Sequence, residues 1–150
     1  MINWPDGIFT KFFAKIKKFP GREIIRNLNL PPFIKRIVVI GNLSPNGYKY
    51  LKNKFNRKII NYKLPYGNIN NILKKTKIKL QYNEIIFLTL PTPKQEQLAK
   101  FLSSNNKYFK IICIGGSINI ISGDEKKVPD LFINFEFLWR LRYETKRRIF

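Results

Sequence analysis

The sequence predicts an α/β fold, a Rossmann-like parallel sheet with flanking helices and a basic-aromatic C-terminal helical segment. Three observations lead there. Four apolar runs, Ile37-Val38-Val39-Ile40, Lys58-Ile59-Ile60-Asn61-Tyr62, Glu84-Ile85-Ile86-Phe87-Leu88 and Ile111-Ile112-Cys113-Ile114, are short and rich in β-branched residues. Helical patterns fall between them, and strands alternating with helices at this spacing build βαβ units. The third run is continuously apolar after Glu84, as expected of a parallel strand covered on both faces.

Taken in order, residues 8–18 set Ile8, Phe9, Phe12, Phe13 and Ile16 against Lys11, Lys15, Lys17 and Lys18 at helical spacing. That is an amphipathic helix, which Pro20-Gly21 stops. A short helix is expected over residues 23–28, broken by Pro31-Pro32. The first strand ends in the turn Gly41-Asn42, and Pro45 starts a helix reaching Phe55. The second strand covers residues 58–62, and Asn68 caps a helix running to Lys75. After the third strand, Pro93 starts a helix that carries Gln95 through Leu102. The fourth strand runs into the glycine turn Gly115-Gly116. No internal repeat or low-complexity linker interrupts the pattern. Residues 1–130 read as the α/β core and residues 131–150 as an appendage.

A chain of 150 residues with 44% hydrophobic content can bury one core. Its net charge of +20 favours anionic partners: nucleic acid, anionic lipid headgroups or phosphorylated substrates. A Lys-, Ile- and Asn-rich composition, with lysines scattered over solvated faces, accounts for part of that charge. The arginines are less easily explained so, because Arg140, Arg142, Arg147 and Arg148 crowd the end of the chain. The single cysteine, Cys113, cannot form an internal disulfide, and its apolar neighbours suggest a buried strand thiol suited to a reducing compartment. No apolar run reaches the roughly 18 residues of a membrane span, and the N-terminus lacks a secretory h-region. The expectation is a soluble or surface-bound cytoplasmic protein. Histidine is absent, so a base working near pH 7 must be a carboxylate, a lysine or the substrate itself. One Cys, no His and nine acidic residues argue against a protein-held zinc, and no metal ligands are assigned.

In open α/β sheets the ligand crevice lies outside the carboxyl ends of the strands. Leu90-Pro91-Thr92-Pro93-Lys94-Gln95-Glu96 falls at such a corner, where the third strand hands over to its helix. Its Lys-Gln-Glu cluster is therefore a candidate site; a capped helix start with solvated polar residues is the plainer alternative. Gly41-Asn42 and Gly115-Gly116 also fall at strand ends, where backbone amides can face phosphate. Neither has the full Gly-x-Gly-x-x-Gly spacing, so dinucleotide binding is poorly supported.

From Phe132 onward, Phe132, Phe135, Phe137, Leu138, Trp139, Leu141 and Tyr143 are interleaved with Arg140, Arg142, Lys146, Arg147 and Arg148. Such a segment suits a membrane interface, where rings sit at headgroup depth and arginines reach phosphates. It suits single-stranded nucleic acid through stacking, and equally a helix packing its aromatics on the sheet.

Several motifs in order resemble the WecG/TagA/CpsF glycosyltransferases, enzymes that add a sugar such as N-acetylmannosamine to a lipid-linked acceptor. Pro93-Lys94-Gln95-Glu96 is similar to the family's Pro-Lys-Gln-Glu. Gly115-Gly116 followed by Ile121-Ser122-Gly123 resembles its Gly-Gly-x-x-Asp-x-x-x-Gly, and Lys127-Val128-Pro129 stands where the family has Arg-Ala-Pro. Glu136-Phe137-Leu138-Trp139-Arg140-Leu141 resembles Glu-Trp-Leu-Tyr-Arg-Leu, with Arg147 at the spacing of a further arginine. Pro5-Asp6-Gly7 resembles the family's Pro-Asp-Gly, and Pro20-Gly21 the glycine of its Arg-x-x-Gly.

The resemblance implies an inverting transfer of an N-acetylhexosamine, N-acetylmannosamine-like, from a UDP-sugar to an undecaprenyl-diphosphate-linked acceptor. The setting implied is cell-surface polysaccharide or teichoic acid biosynthesis, at the inner face of the cell membrane, by a peripheral protein. No cofactor and no metal are implied beyond the UDP-sugar donor. Asp6 would be the catalytic base. Lys18, Lys94, Gln95, Glu96, Gly115 and Gly116 would contact substrate, and Arg140 and Arg147 would hold diphosphate charge. The family's terminal segment is thought to dock on the membrane, and family members often form homo-oligomers, so both are expectations here.

The departures define the alternatives. The family places strands and a Thr-x-Asn motif ahead of Pro-Asp-Gly, whereas Met1 stands just before it here, so the expectation is a chain lacking the family's N-terminal portion. Lys18 replaces the arginine of Arg-x-x-Gly, Asn119 the aspartate after Gly-Gly, and Thr145 a proline. A weakened or inactive truncated homologue is one alternative; a basic nucleic-acid-binding domain is another.

Overall fold

The computed structural model describes residues 21–64, 67, 78–105 and 109–124. The helices expected over residues 8–18 and 68–75 and the appendage 131–150 lie outside the described residues. Within them, four strands form one all-parallel sheet: β1 (Arg36–Gly41), β2 (Lys58–Tyr62), β3 (Glu84–Thr89) and β4 (Lys110–Cys113). Their spatial order is β2-β1-β3-β4. Register pairs Arg36 with Lys58 and Glu84, and Ile85 with Lys110. The α/β Rossmann-like expectation holds.

Among the described residues four helices accompany the sheet: α1 (Gly21–Asn27), α2 (Pro45–Phe55), α3 (Lys94–Asn105) and α4 (Ser117–Ile121). Successive strand side chains point to opposite faces, so β1 splits its residues between two cores. Ile37 and Val39 join Ile59, Ile85 and Phe87 under Ile25 of α1, Leu51 and Phe55 of α2, and Ile118 of α4. Val38 and Ile40 join Ile86 and Leu88 under Leu98, Ala99 and Leu102 of α3. Helices on both faces explain why β1 and β3 are apolar almost throughout.

The bounds of α2 and β2 follow the sequence closely because local chemistry sets them. Ser44 caps α2, its Oγ accepting from Gly47 N at 2.9 Å, and Pro45 follows at the first turn. At the other end Asn56 takes the left-handed conformation and its N–H bonds Lys52 O.

Elsewhere tertiary contacts moved the boundaries. Gly21, read as a breaker, is the first residue of α1, which runs from Gly21 rather than from Glu23. A Cβ there would lie 2.7 Å from Ser117 Oγ, so the glycine serves close packing of α1 on α4. The third helix runs past Leu102 to Asn105, where the Ser103 and Ser104 hydroxyls donate to the carbonyls of Lys100 and Phe101. Pro93 precedes α3 through a cis Thr92–Pro93 peptide, and its carbonyl accepts from Gln97 N at 3.2 Å. The short α4 had no expectation at all. Cys113, expected to be buried, is half-buried at the end of β4, the outermost strand among the described residues.

Among the described residues one charged group lies in the core. Glu84, 1% exposed, pairs with the Arg36 guanidinium across the β1–β3 register and accepts from Gln81 N at 2.6 Å. It sits at the amino edge of the sheet, opposite the edge described next.

Candidate functional site at the carboxyl edge of the sheet

Chain order and spatial order disagree at one place. From β1 the chain moves to β2 on one side, then returns with β3 on the other side of β1. The turns that follow β1 and β3 therefore diverge, and a crevice opens between them at the carboxyl edge. Its floor is tight. Gly41 ends β1 with φ 122°, and a Cβ there would lie 2.5 Å from Thr89 Oγ1 at the end of β3. The Thr89 hydroxyl in turn donates to Ile40 O at 3.4 Å.

On the β3 side, the Lys-Gln-Glu corner is a bonded network rather than a solvated helix start. Gln95 Oε1 accepts from Gly115 N at 3.1 Å, joining the start of α3 to the turn after β4. Gln95 Nε2 donates to Glu96 Oε1 at 2.9 Å and to Thr92 Oγ1 at 3.3 Å. The Thr92 hydroxyl donates to the same Glu96 oxygen at 3.2 Å. Lys94 Nζ donates to Gly67 O at 2.8 Å and so ties this corner to the segment after β2. Gly115 holds φ +51° and its N–H is shared with Leu88 O at 3.1 Å. Gly116 is exposed, its carbonyl accepting from Asn119 N and Ile120 N.

The Cys113 thiol lies under this corner, its Sγ 3.9 Å from Gln95 O. Burial, and then the negative charge of Glu96, push its pKa up to about 11. Near neutral pH it is a thiol, not a nucleophile.

On the β1 side the sequence had offered only backbone amides, and here it missed a charged cluster. Asp124 lies at the N-terminus of α2. Its carboxylate accepts from Ser44 Oγ at 2.5 Å, Ser122 Oγ at 2.6 Å and Asn46 Nδ2 at 2.7 Å. Those bonds hold its pKa below the ordinary carboxylate value, with Ser122 contributing most, then Ser44 and Asn46. No acidic residue occupies the first turn of α2 itself, so Asp124 supplies the negative charge that a helix N-terminus favours. A Ser-Pro-Asn helix start is visible in sequence; a partner eighty residues away is not.

Of the residues expected to form the site, the structure brings Gln95, Glu96 and Gly115 into one network, with Lys94 and Gly116 at its margins. Asp6, Lys18, Arg140 and Arg147 lie outside the described residues. Among the described residues no helix is long and apolar enough to cross a membrane.

A parallel sheet covered on both faces, with a polar network at its switch point, defines an α/β protein of the class whose ligand crevices lie outside the carboxyl edge. The family model described as "Glycosyl transferase WecG/TagA/CpsF family" matches residues 48–150, and the chain belongs to that family. Membership makes it related to glycosyltransferases of cell-surface polysaccharide synthesis, which use nucleotide-sugar donors and lipid-linked acceptors. No curated protein and no solved structure matches the chain.

Proposed function

We propose that this protein is an inverting glycosyltransferase that moves an N-acetylhexosamine, N-acetylmannosamine-like, from a UDP-sugar to an undecaprenyl-diphosphate-linked acceptor. The observation that carries the reading is the Lys94-Gln95-Glu96 corner beside the switch point, inside the matched residues. The acceptor hydroxyl oxygen attacks the anomeric carbon, the bond to the β-phosphate oxygen breaks, and UDP leaves with the electron pair. Asp6 takes the hydroxyl proton; a carboxylate partly enclosed by substrate has its pKa raised toward the working range. Arg140 and Arg147 face the diphosphate, because a planar guanidinium pairs two phosphate oxygens and offsets charge on the leaving group. Lys18 contributes a further cation, and Lys94, Gln95, Glu96, Gly115 and Gly116 form the crevice wall toward the donor. The net charge of +20 and the basic-aromatic residues 131–150 support a position on the inner face of the cell membrane, beside the lipid-linked acceptor.

Release of UDP from UDP-N-acetylhexosamines, measured with and without a lipid-diphosphate-sugar acceptor, tests the reading. Acceptor-dependent release supports it. Folded protein that releases no UDP from any donor, and binds none, overturns it.

A further inference from the structure

We propose that Glu96 is a positioning residue, which acts through Gln95 to hold the Gly115 turn on the β4 side of the crevice. The inference rests on the sugar-nucleotide reading only where it concerns nucleotide affinity. A primary amide has one donating and one accepting end, and here each neighbour admits only one of them. Gly115 N–H can only donate, so it takes the carbonyl end of Gln95 at 3.1 Å. The Glu96 carboxylate can only accept, so it takes the NH2 end at 2.9 Å. Thr92 completes the arrangement, accepting from Gln95 Nε2 and donating to Glu96 Oε1. Both Nε2 protons of Gln95 are therefore committed within the protein, which suits support of the turn better than a donated bond to substrate.

A second observation concerns Glu96 itself. Its other oxygen, Oε2, is buried without a hydrogen-bond partner. An unsatisfied buried carboxylate oxygen lowers stability, so the residue is better explained by the orientation it imposes than by stability. The alternative arrangement of the amide would face like against like at both ends. A flipped Gln95 would set its carbonyl against the Glu96 carboxylate and its NH2 against Gly115 N–H.

The test reads the Gly115 amide resonance of the full chain by 15N–1H correlation, together with UDP affinity. Glu96→Gln keeps an acceptor for Gln95 Nε2, so the Gly115 resonance should stay near its wild-type place. Glu96→Leu removes the acceptor and should move it, with UDP binding about threefold to tenfold weaker, the scale of one hydrogen bond lost from the support of the turn. Gln95→Glu gives the most specific readout. It places a second carboxylate against Glu96, with the Cys113 thiol, the Thr92 hydroxyl and the Gly67-bound Lys94 as the other polar groups nearby. The two carboxylates then share one proton with a midpoint above the usual glutamate value of about 4.3. The Gly115 resonance should titrate with that midpoint in the variant. A Gly115 resonance unmoved by Glu96→Leu, or Gln95→Glu without a titration, overturns the proposal. So does unchanged UDP affinity when the resonance has moved. A wild type that binds no UDP removes the sugar-nucleotide reading instead, and the amide shifts still decide the positioning role.

Discussion

Ser44 and Asp124, eighty residues apart in the chain, meet through a 2.5 Å hydrogen bond at the N-terminus of α2. Ser44 Oγ also caps Gly47 N at 2.9 Å, so one hydroxyl holds both the start of the helix and the turn beyond α4. The turn after β1, where parallel α/β folds often offer amides to a ligand phosphate, is thus occupied by a carboxylate of the chain itself.

The first prediction is a pH dependence of stability. The Asp124 pKa is lowered in the fold by bonds from Ser122, Ser44 and Asn46. Its contribution is therefore fully present above the unfolded aspartate value of about 3.9, and is lost as pH falls through the folded value. Melting temperatures of wild type and Asp124→Asn should differ at pH 7 and converge as the pH falls below the lowered folded value. A gap that persisted in acid would assign the bonds no role in stability through charge.

The buried pair at the other edge makes a second. Arg36→Met leaves Glu84, 1% exposed, without its counter-ion, and should cost about 3 kcal/mol in a urea titration. Arg36 is itself 23% exposed, which places the effect at the low end for a buried pair. Adding Glu84→Leu to that variant should recover much of the loss, since two apolar residues leave no charge stranded. A double variant no better than the single one would contradict this.

Gly47→Ala sets helix propensity against packing. Alanine favours a helix over glycine by about 1 kcal/mol. A Cβ here, however, would lie 2.7 Å from Ile118 Cγ2 and 2.9 Å from Ser44 Oγ, and Ile118 is buried. Overpacking of this kind costs about 1–3 kcal/mol. The variant should melt lower than wild type; a higher melting temperature would show that α4 shifts freely away from α2.

Cys113 supplies a chemical prediction. With its pKa pushed up to about 11, chiefly by burial and further by Glu96, alkylation by iodoacetamide should be slow near neutral pH and accelerate only in strong alkali. Glu96→Gln removes a negative charge and should move the rate profile to lower pH. An unaltered profile would place Glu96 too far from the sulfur to matter.

Local signals in the chain account for the strands and for α2. Ile37 to Ile40 and Glu84 to Leu88 could only be buried strands, and Ser44-Pro45 with Asn56 marks both ends of α2 by chemistry that acts within a few residues. What escaped depends on distant partners. Gly21 reads as a breaker because glycine usually is one; that it marks close approach to Ser117 is a fact about a neighbour far along the chain. The five-residue α4 is too short to show a period. For the site, Gln95, Glu96 and Gly115 were identifiable from motif and strand-end position, but the hydrogen bond joining them was not. Asp124 carried no signal beyond a Gly-Asp turn, and its role follows only from the fold bringing Ser44 to it.

Label transfer from a panel of UDP-N-acetylhexosamines to a lipid-diphosphate-sugar acceptor, with Asp6→Asn measured alongside, decides whether this protein is a glycosyltransferase with Asp6 as its base. Turnover with one donor is expected in the wild type. In the variant transfer should be lost while UDP binding is nearly intact, because only the proton acceptor is removed. Transfer by Asp6→Asn at the wild-type rate would contradict the assigned base, and folded wild type that transfers nothing would contradict the enzyme.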